Sequence, residues 1–123
     1  MNERYLSRGK RKDNGEWVEG FYSCDIWGDE TEYILYDEQE YEIIPETDGQ
    51  CTGLKDKNGK LIFEGDIVRA YKHNETQYTQ AITLRDDCFW FGSWNWIEFL
   101  NVFRNLEVIG NMHDNPELLE VER

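Results

Sequence analysis

Positive charge is scarce in this 123-residue chain. Thirteen Lys and Arg stand against 26 Asp and Glu, a formal net charge of −13. From Asp13 to Leu54 there is neither Lys nor Arg. A field of that sign repels phosphate backbones, so duplex DNA is an unfavourable partner. Histidine is scarcer still, with only His73 and His113, and no ligand spacing joins them. No metal site is expected from such a set, and His113-Asp114 has no evident nucleophile nearby to make an acid–base pair useful. No phosphate-binding loop occurs, so no cofactor is expected either. The three cysteines, Cys24, Cys51 and Cys88, are far apart, odd in number and free of any Cys-x-x-Cys spacing, which excludes a zinc ribbon or redox motif. They read as small apolar fillers kept reduced. No apolar run approaches the roughly 20 residues that cross a bilayer. The charged N-terminal segment lacks the apolar stretch of a signal peptide, so the expected location is cytoplasmic, away from membranes.

What the chain does hold is turn chemistry and short apolar runs. Asn58-Gly59 is a preferred pair for a type I′ turn. Leu61, Ile62 and Phe63 then read as a strand, and Gly65-Asp66 breaks it before Ile67 and Val68 open another. Gly65 permits the bend and Asp66 can accept local N–H bonds, so Asn58, Gly59, Gly65 and Asp66 are structural residues rather than chemical ones. In the first half, strands are expected at residues 5–12, 16–24, 33–36 and 41–44. Residues 13–15 make the first hairpin turn, and residues 37–40 form a connector. Residues 45–49 are a breaker cluster and the best boundary between lobes. In the second half, strands are expected at residues 50–54, 61–63, 66–71, 78–84, 88–92, 96–99 and 106–109. Many short strands with close turns argue for an all-β barrel or sandwich. Asn115 as N-cap, Pro116 at the first helical position and Glu117 near the positive end predict a short helix over residues 117–121.

The same run carries a family resemblance. Thr52-Gly53-Leu54-Lys55-Asp56-Lys57-Asn58-Gly59-Lys60 and Phe63-Glu64-Gly65-Asp66-Ile67-Val68 resemble the signature of the YopX family of phage and prophage proteins. Arg8-Gly9-Lys10 with Asn14-Gly15-Glu16-Trp17-Val18-Glu19-Gly20 resembles its opening. Leu106-Glu107-Val108-Ile109-Gly110-Asn111 with Asn115-Pro116-Glu117-Leu118-Leu119 resembles its ending. Residues 24–50 and 72–104 are this chain's own. The resemblance implies an SH3-like small β barrel, encoded by a bacteriophage or prophage and resident in a bacterial cell, and brings no known reaction or catalytic residue. The expected architecture is therefore one mainly β domain over 1–123. An acidic N-terminal β-hairpin lobe (1–49) precedes an SH3-like barrel (50–123) with a short C-terminal helix.

Two features bear on function. Arg4, Arg8, Lys10, Arg11 and Lys12 crowd the opening, whereas thirteen acids lie between Asp13 and Asp48. The acids read either as a solvated face or as a surface that meets a basic protein or imitates nucleic acid. The basic segment is expected to lie against that lobe through the Asn14-Gly15 hairpin. The densest aromatic segment, residues 89–99, holds Trp90, Trp94 and Trp96. It reads either as core or as a partner-binding patch with at least one of those indoles exposed. Base stacking would also suit such rings, but a basic groove is missing. The function that follows is non-enzymatic binding, by contact with a protein partner or a second copy. A nucleic-acid-binding or nucleic-acid-mimicking accessory protein is the alternative.

Overall fold

The computed structural model describes residues 5–25, 27–28 and 31–120. Arg4 of the basic opening, Asp29 and Glu30 of the acidic stretch and Val121 of the expected helix lie outside them. The described strands form two antiparallel sheets, with few helices and no closed barrel. By its contacts the chain divides into two compact units, Met1–Cys51 and Thr52–Arg123.

In the first unit, β1 (Ser7–Lys10) and β2 (Trp17–Cys24) form the opening hairpin, with Arg8 opposite Glu19 and Lys10 opposite Trp17. Its turn uses Asn14-Gly15: the Asn14 carboxamide accepts from the Glu16 N–H at 2.9 Å, and Gly15 takes a positive φ of 74°. Next come β3 (Glu32–Tyr36) and β4 (Gln39–Glu42), and the first residues of β5 (Gly49–Lys55) pair with β1, giving the order β4-β3-β2-β1-β5. The connector between β3 and β4 is tighter than the sequence suggests. Tyr36 pairs with Gln39, so Asp37 and Glu38 alone make the turn, both with positive φ (52° and 63°). That backbone is a type I′ turn built without glycine.

The sheet rolls up at one end. Arg11 bridges Ile43, the Lys12 N–H donates to the Glu42 carbonyl at 2.9 Å, and the Ile44 N–H donates to the Lys10 carbonyl at 2.9 Å. The inner face of the roll holds Ile34 and Ile43, both fully buried, with Gly9 and Gly20. Thr47, in the 3-10 turn Pro45–Thr47, fastens the edge by accepting from the Lys10 N–H at 2.8 Å.

In the second unit β5 runs on beside β6 (Leu61–Phe63). The other strands are β7 (Asp66–Lys72), β8 (Gln77–Arg85), β9 (Cys88–Phe91), β10 (Trp94–Asn95) and β11 (Phe103–Asn111), ordered β10-β9-β8-β7-β11. The core is Ile62, Val68, Ala70, Ile82, Phe91, Phe99 and Phe103. Helix α2 (Glu117–Glu120) follows Asn115 and Pro116 as expected.

Two local expectations need correction. The Asn58-Gly59 turn is not type I′. The Gly59 N–H donates to the Asp56 carbonyl at 3.0 Å, and Gly59 takes positive φ (83°) while Asn58 does not. Asp56 selects this form, because its carboxylate accepts from the Asn58 and Lys60 N–H groups at 2.9 Å each. Gly59 remains the strained position, and a Cβ there would meet nothing within 4 Å. Gly59→Val is therefore expected to cost about 1 kcal/mol or more purely through φ, read as a fall in the urea midpoint.

The second correction concerns residues 96–99, which are not a strand. They begin helix α1 (Trp96–Val102), started by a reciprocal capping box: the Asn95 side chain accepts from the Glu98 N–H at 2.8 Å, and the Glu98 carboxylate accepts from the Asn95 N–H at 3.1 Å. Aromatic content suggested a strand, but Trp96, Phe99 and Phe103 recur at helical spacing and turn inward together.

A further tight turn carries its own prediction. Arg85 pairs with Cys88, so Asp86 and Asp87 form a two-residue turn with φ of 53° and 62°. Asp86→Asn with Asp87→Gly places the preferred pair on that backbone and removes two adjacent like charges. The double variant is expected to gain about 1 kcal/mol, visible as a higher urea midpoint with unchanged slope.

Candidate interaction surface

The tryptophan segment is built around a short hairpin. Phe91 of β9 pairs with Trp94 of β10, and Gly92-Ser93 make the turn, Gly92 at φ 58°. Phe91 points into the core and is fully buried. Its ring lies 4.6 Å from Phe99 and 5.0 Å from Phe103, centroid to centroid. Trp94 packs edge-on against Tyr78 (4.9 Å) and Phe103 (5.1 Å), and Trp96 stacks on Phe99 (5.0 Å). Trp90 extends from the neighbouring position on β9 under the Arg85 guanidinium, 4.4 Å from its ring centre. Trp90, Trp94 and Trp96 are thus all half-buried, two of them integral to the aromatic core. The exposed apolar side chains of this region are Ile97 and Leu100 on α1.

The other predicted residues fall where structural roles place them. Asp66 is buried and accepts from the Phe63 N–H at 2.8 Å, and Gly65 takes φ 93°. His73 and His113 sit on exposed connectors. Among the described residues no group of three or more His, Cys, Asp or Glu side chains is arranged to hold a metal ion. Cys51 is a buried filler and Cys24 half-buried, whereas Cys88 is exposed, because the Asp86-Asp87 turn carries it to the surface.

The basic opening segment is occupied within its own unit. Arg11 forks onto Asp13, with Nε and Nη2 at 3.0 and 2.7 Å from the two carboxylate oxygens, and Lys12 reaches Glu42 at 3.2 Å. The Arg11 hydrogen bonds lower the Asp13 carboxyl below its usual range. Arg8 and Lys10 lie over the Trp17 ring at 4.6 and 5.6 Å, and Arg11 over Tyr41 at 4.4 Å. Such exposed pairs contribute little to stability, but they hold cations beside the acidic strands. In the second unit Lys57 and Arg69 approach Glu107 at 3.6 and 3.4 Å, and Arg104 approaches Glu75 at 3.0 Å.

Exposed apolar surface concentrates elsewhere than the tryptophan segment. In the first unit Phe21 and Leu35 are direct cross-strand partners, exposed at 42% and 39%. With Leu6 and Tyr36 they line an open cleft of about 380 Å³ whose margin carries Glu19, Asp37 and Glu38. Trp27 is 93% exposed nearby in sequence. The signal in the chain was faint. Phe21 and Leu35 lie in strands whose alternation looked ordinary, and their pairing depends on the β2–β3 register.

The known proteins add one result. No curated protein and no solved structure matches the chain. A family model, described as YopX protein, matches residues 7–120, nearly the whole length. The opening hairpin, the Asp56–Asp66 region and the closing strand and helix all fall within that match, and the chain belongs to the YopX family.

Proposed function

We propose that this YopX-family chain is a non-enzymatic protein of a bacteriophage or prophage that acts in the bacterial cytoplasm by binding another protein. The observation that carries this reading is the apolar surface of the first unit, where Phe21, Leu35 and Tyr36 are exposed together rather than singly. A contiguous exposed patch on so polar a chain is a mark of contact with a partner. Aromatic side chains bordered by charge are also the usual anchors of such contacts.

The nucleic-acid alternative is the weaker one. Phosphate binding requires clustered free cations. Here Arg11 and Lys12 contact carboxylates of their own unit, and Arg8 and Lys10 lie over an aromatic ring. The chain is expected to show no appreciable affinity for duplex DNA at physiological salt in an anisotropy titration. Micromolar, salt-sensitive binding that disappears on Arg11→Glu with Lys12→Glu would reverse the order of the two readings. The positive test is to purify the tagged chain from its host, identify what accompanies it in stoichiometric amount, and measure the dissociation constant with both partners purified.

A further inference from the structure

Resting on that reading, we infer that the Phe21–Leu35 cleft is the docking site for a basic segment of a partner protein, one that inserts an apolar side chain and flanks it with Lys or Arg. The floor is apolar: Leu6, Phe21, Leu35 and Tyr36. The acidic part of the lining gathers at one end, where the β2–β3 register brings Glu19 beside the Asp37-Glu38 turn. That turn holds its two acids in left-handed conformations without glycine, so the backbone presents adjacent carboxylates at one edge of the cleft. A ligand must therefore complement both surfaces. An apolar group alone would leave the carboxylates facing a dry contact, which is costly. A cation alone would leave the apolar floor wet.

Charge also selects among occupants. Two copies of this chain would each bring a net charge of −13 to the contact, and like-charged surfaces disfavour association. A basic protein is attracted over the same distance, with a faster encounter at low salt. A nucleic acid meets the same repulsion as a second copy.

The experiment uses the full chain and two fluorescent, amidated octapeptides. Both carry six Lys and Arg. One has a central Leu-Phe pair and the other a central Gly-Ser pair. Anisotropy titrations at 0.05 and 0.15 M salt compare wild type with Phe21→Ser, with Asp37→Asn plus Glu38→Gln, and with Leu100→Ser on the other unit, after circular dichroism shows each variant folded. The Leu-Phe peptide is expected to bind at least tenfold more tightly than the Gly-Ser peptide. Phe21→Ser should abolish that difference. The amide pair should weaken the Leu-Phe peptide about tenfold at the lower salt and flatten its salt dependence, and Leu100→Ser should change nothing.

Equal binding of the two peptides, no binding of the Leu-Phe peptide at 100 μM, or indifference to both cleft variants overturns the assignment. So does concentration-dependent dimerisation in sedimentation that Phe21→Ser removes, which would make a second copy the occupant. A purified natural partner bound equally by wild type and Phe21→Ser would overturn the cleft while leaving the binding-protein reading intact. Tight duplex-DNA binding without peptide binding would overturn both.

Discussion

Asp56→Ala is expected to lose about 3 kcal/mol of folding stability at neutral pH, read as a fall in the urea midpoint. Asp56 is 7% exposed, and its two carboxylate oxygens serve three backbone donors. Oδ1 accepts from the Asn58 and Lys60 N–H groups, closing the hairpin loop, while Oδ2 accepts from the Val108 N–H of β11 at 3.0 Å. One side chain thus ties a local turn to a strand 52 residues away. Removing it leaves three donors without their acceptor, and charged acceptors contribute more than neutral ones.

The pH dependence has a definite sign. Burial pushes the Asp56 carboxyl up, but the N–H groups of Val108, Lys60 and Asn58, together with the Lys60 charge, outweigh burial and hold it below its usual value. A group depressed on folding contributes stability that is fully present above its unfolded value, about 3.9, and is lost as pH falls through the folded value. The gap between wild type and Asp56→Asn should therefore be constant from pH 5 to 8 and narrow below pH 4. A gap independent of pH down to 2.5 would mean that shape rather than charge carries the contribution.

Gly20→Ala is expected to be comparably damaging, at about 3 kcal/mol. Gly20 is buried on the inner face of the rolled first sheet, opposite Ser7. A Cβ there would overlap the Leu35 carbonyl oxygen and come within 3.0 Å of the Ile34 Cγ2. Backbone has no rotamer to yield, so relief requires parting β2 from β3 along the Phe21–Leu35 register. Gly15→Ala is the control. It lies in an open turn with nothing within 4 Å, so it carries only the penalty of positive φ, about 1 kcal/mol. Equal urea midpoints for the two variants would show that the close approach at Gly20 is relieved at little cost. Loss of the Leu-Phe peptide's preference in Gly20→Ala, measured below its unfolding transition, would further tie the β2–β3 register to the cleft.

Much of this architecture is legible in the chain because it is local. The Asn14-Gly15 turn, the Gly65-Asp66 corner, the strands on either side and the Asn115-Pro116 start of α2 each depend on a few consecutive residues. Their conformational preferences are already strong in an unfolded peptide. The capping box at Asn95 and Glu98 is equally local. Strand-forming aromatics around it masked the helix, although the spacing of Trp96, Phe99 and Phe103 pointed to one face.

Other features depend on partners distant in sequence. The glycine-free turns at Asp37-Glu38 and Asp86-Asp87 are imposed by the pairing of the strands they join, against the preference of their own residues. Asp56 turns the Asn58-Gly59 loop away from type I′, and its bond to Val108 requires β11 to be in place. The half-burial of Trp94 and Trp96 follows from rings packed around Phe91, Phe99 and Phe103, and Trp90 lies instead under the Arg85 guanidinium, none of which an alternation rule specifies. By itself the sequence determined the β class, the family, the acidic charge and most turns, since these are set by composition and nearest neighbours. Tertiary structure alone decided which apolar side chains stay outside: burial is a property of the assembled sheets, and only the register of β2 on β3 sets Phe21 beside Leu35.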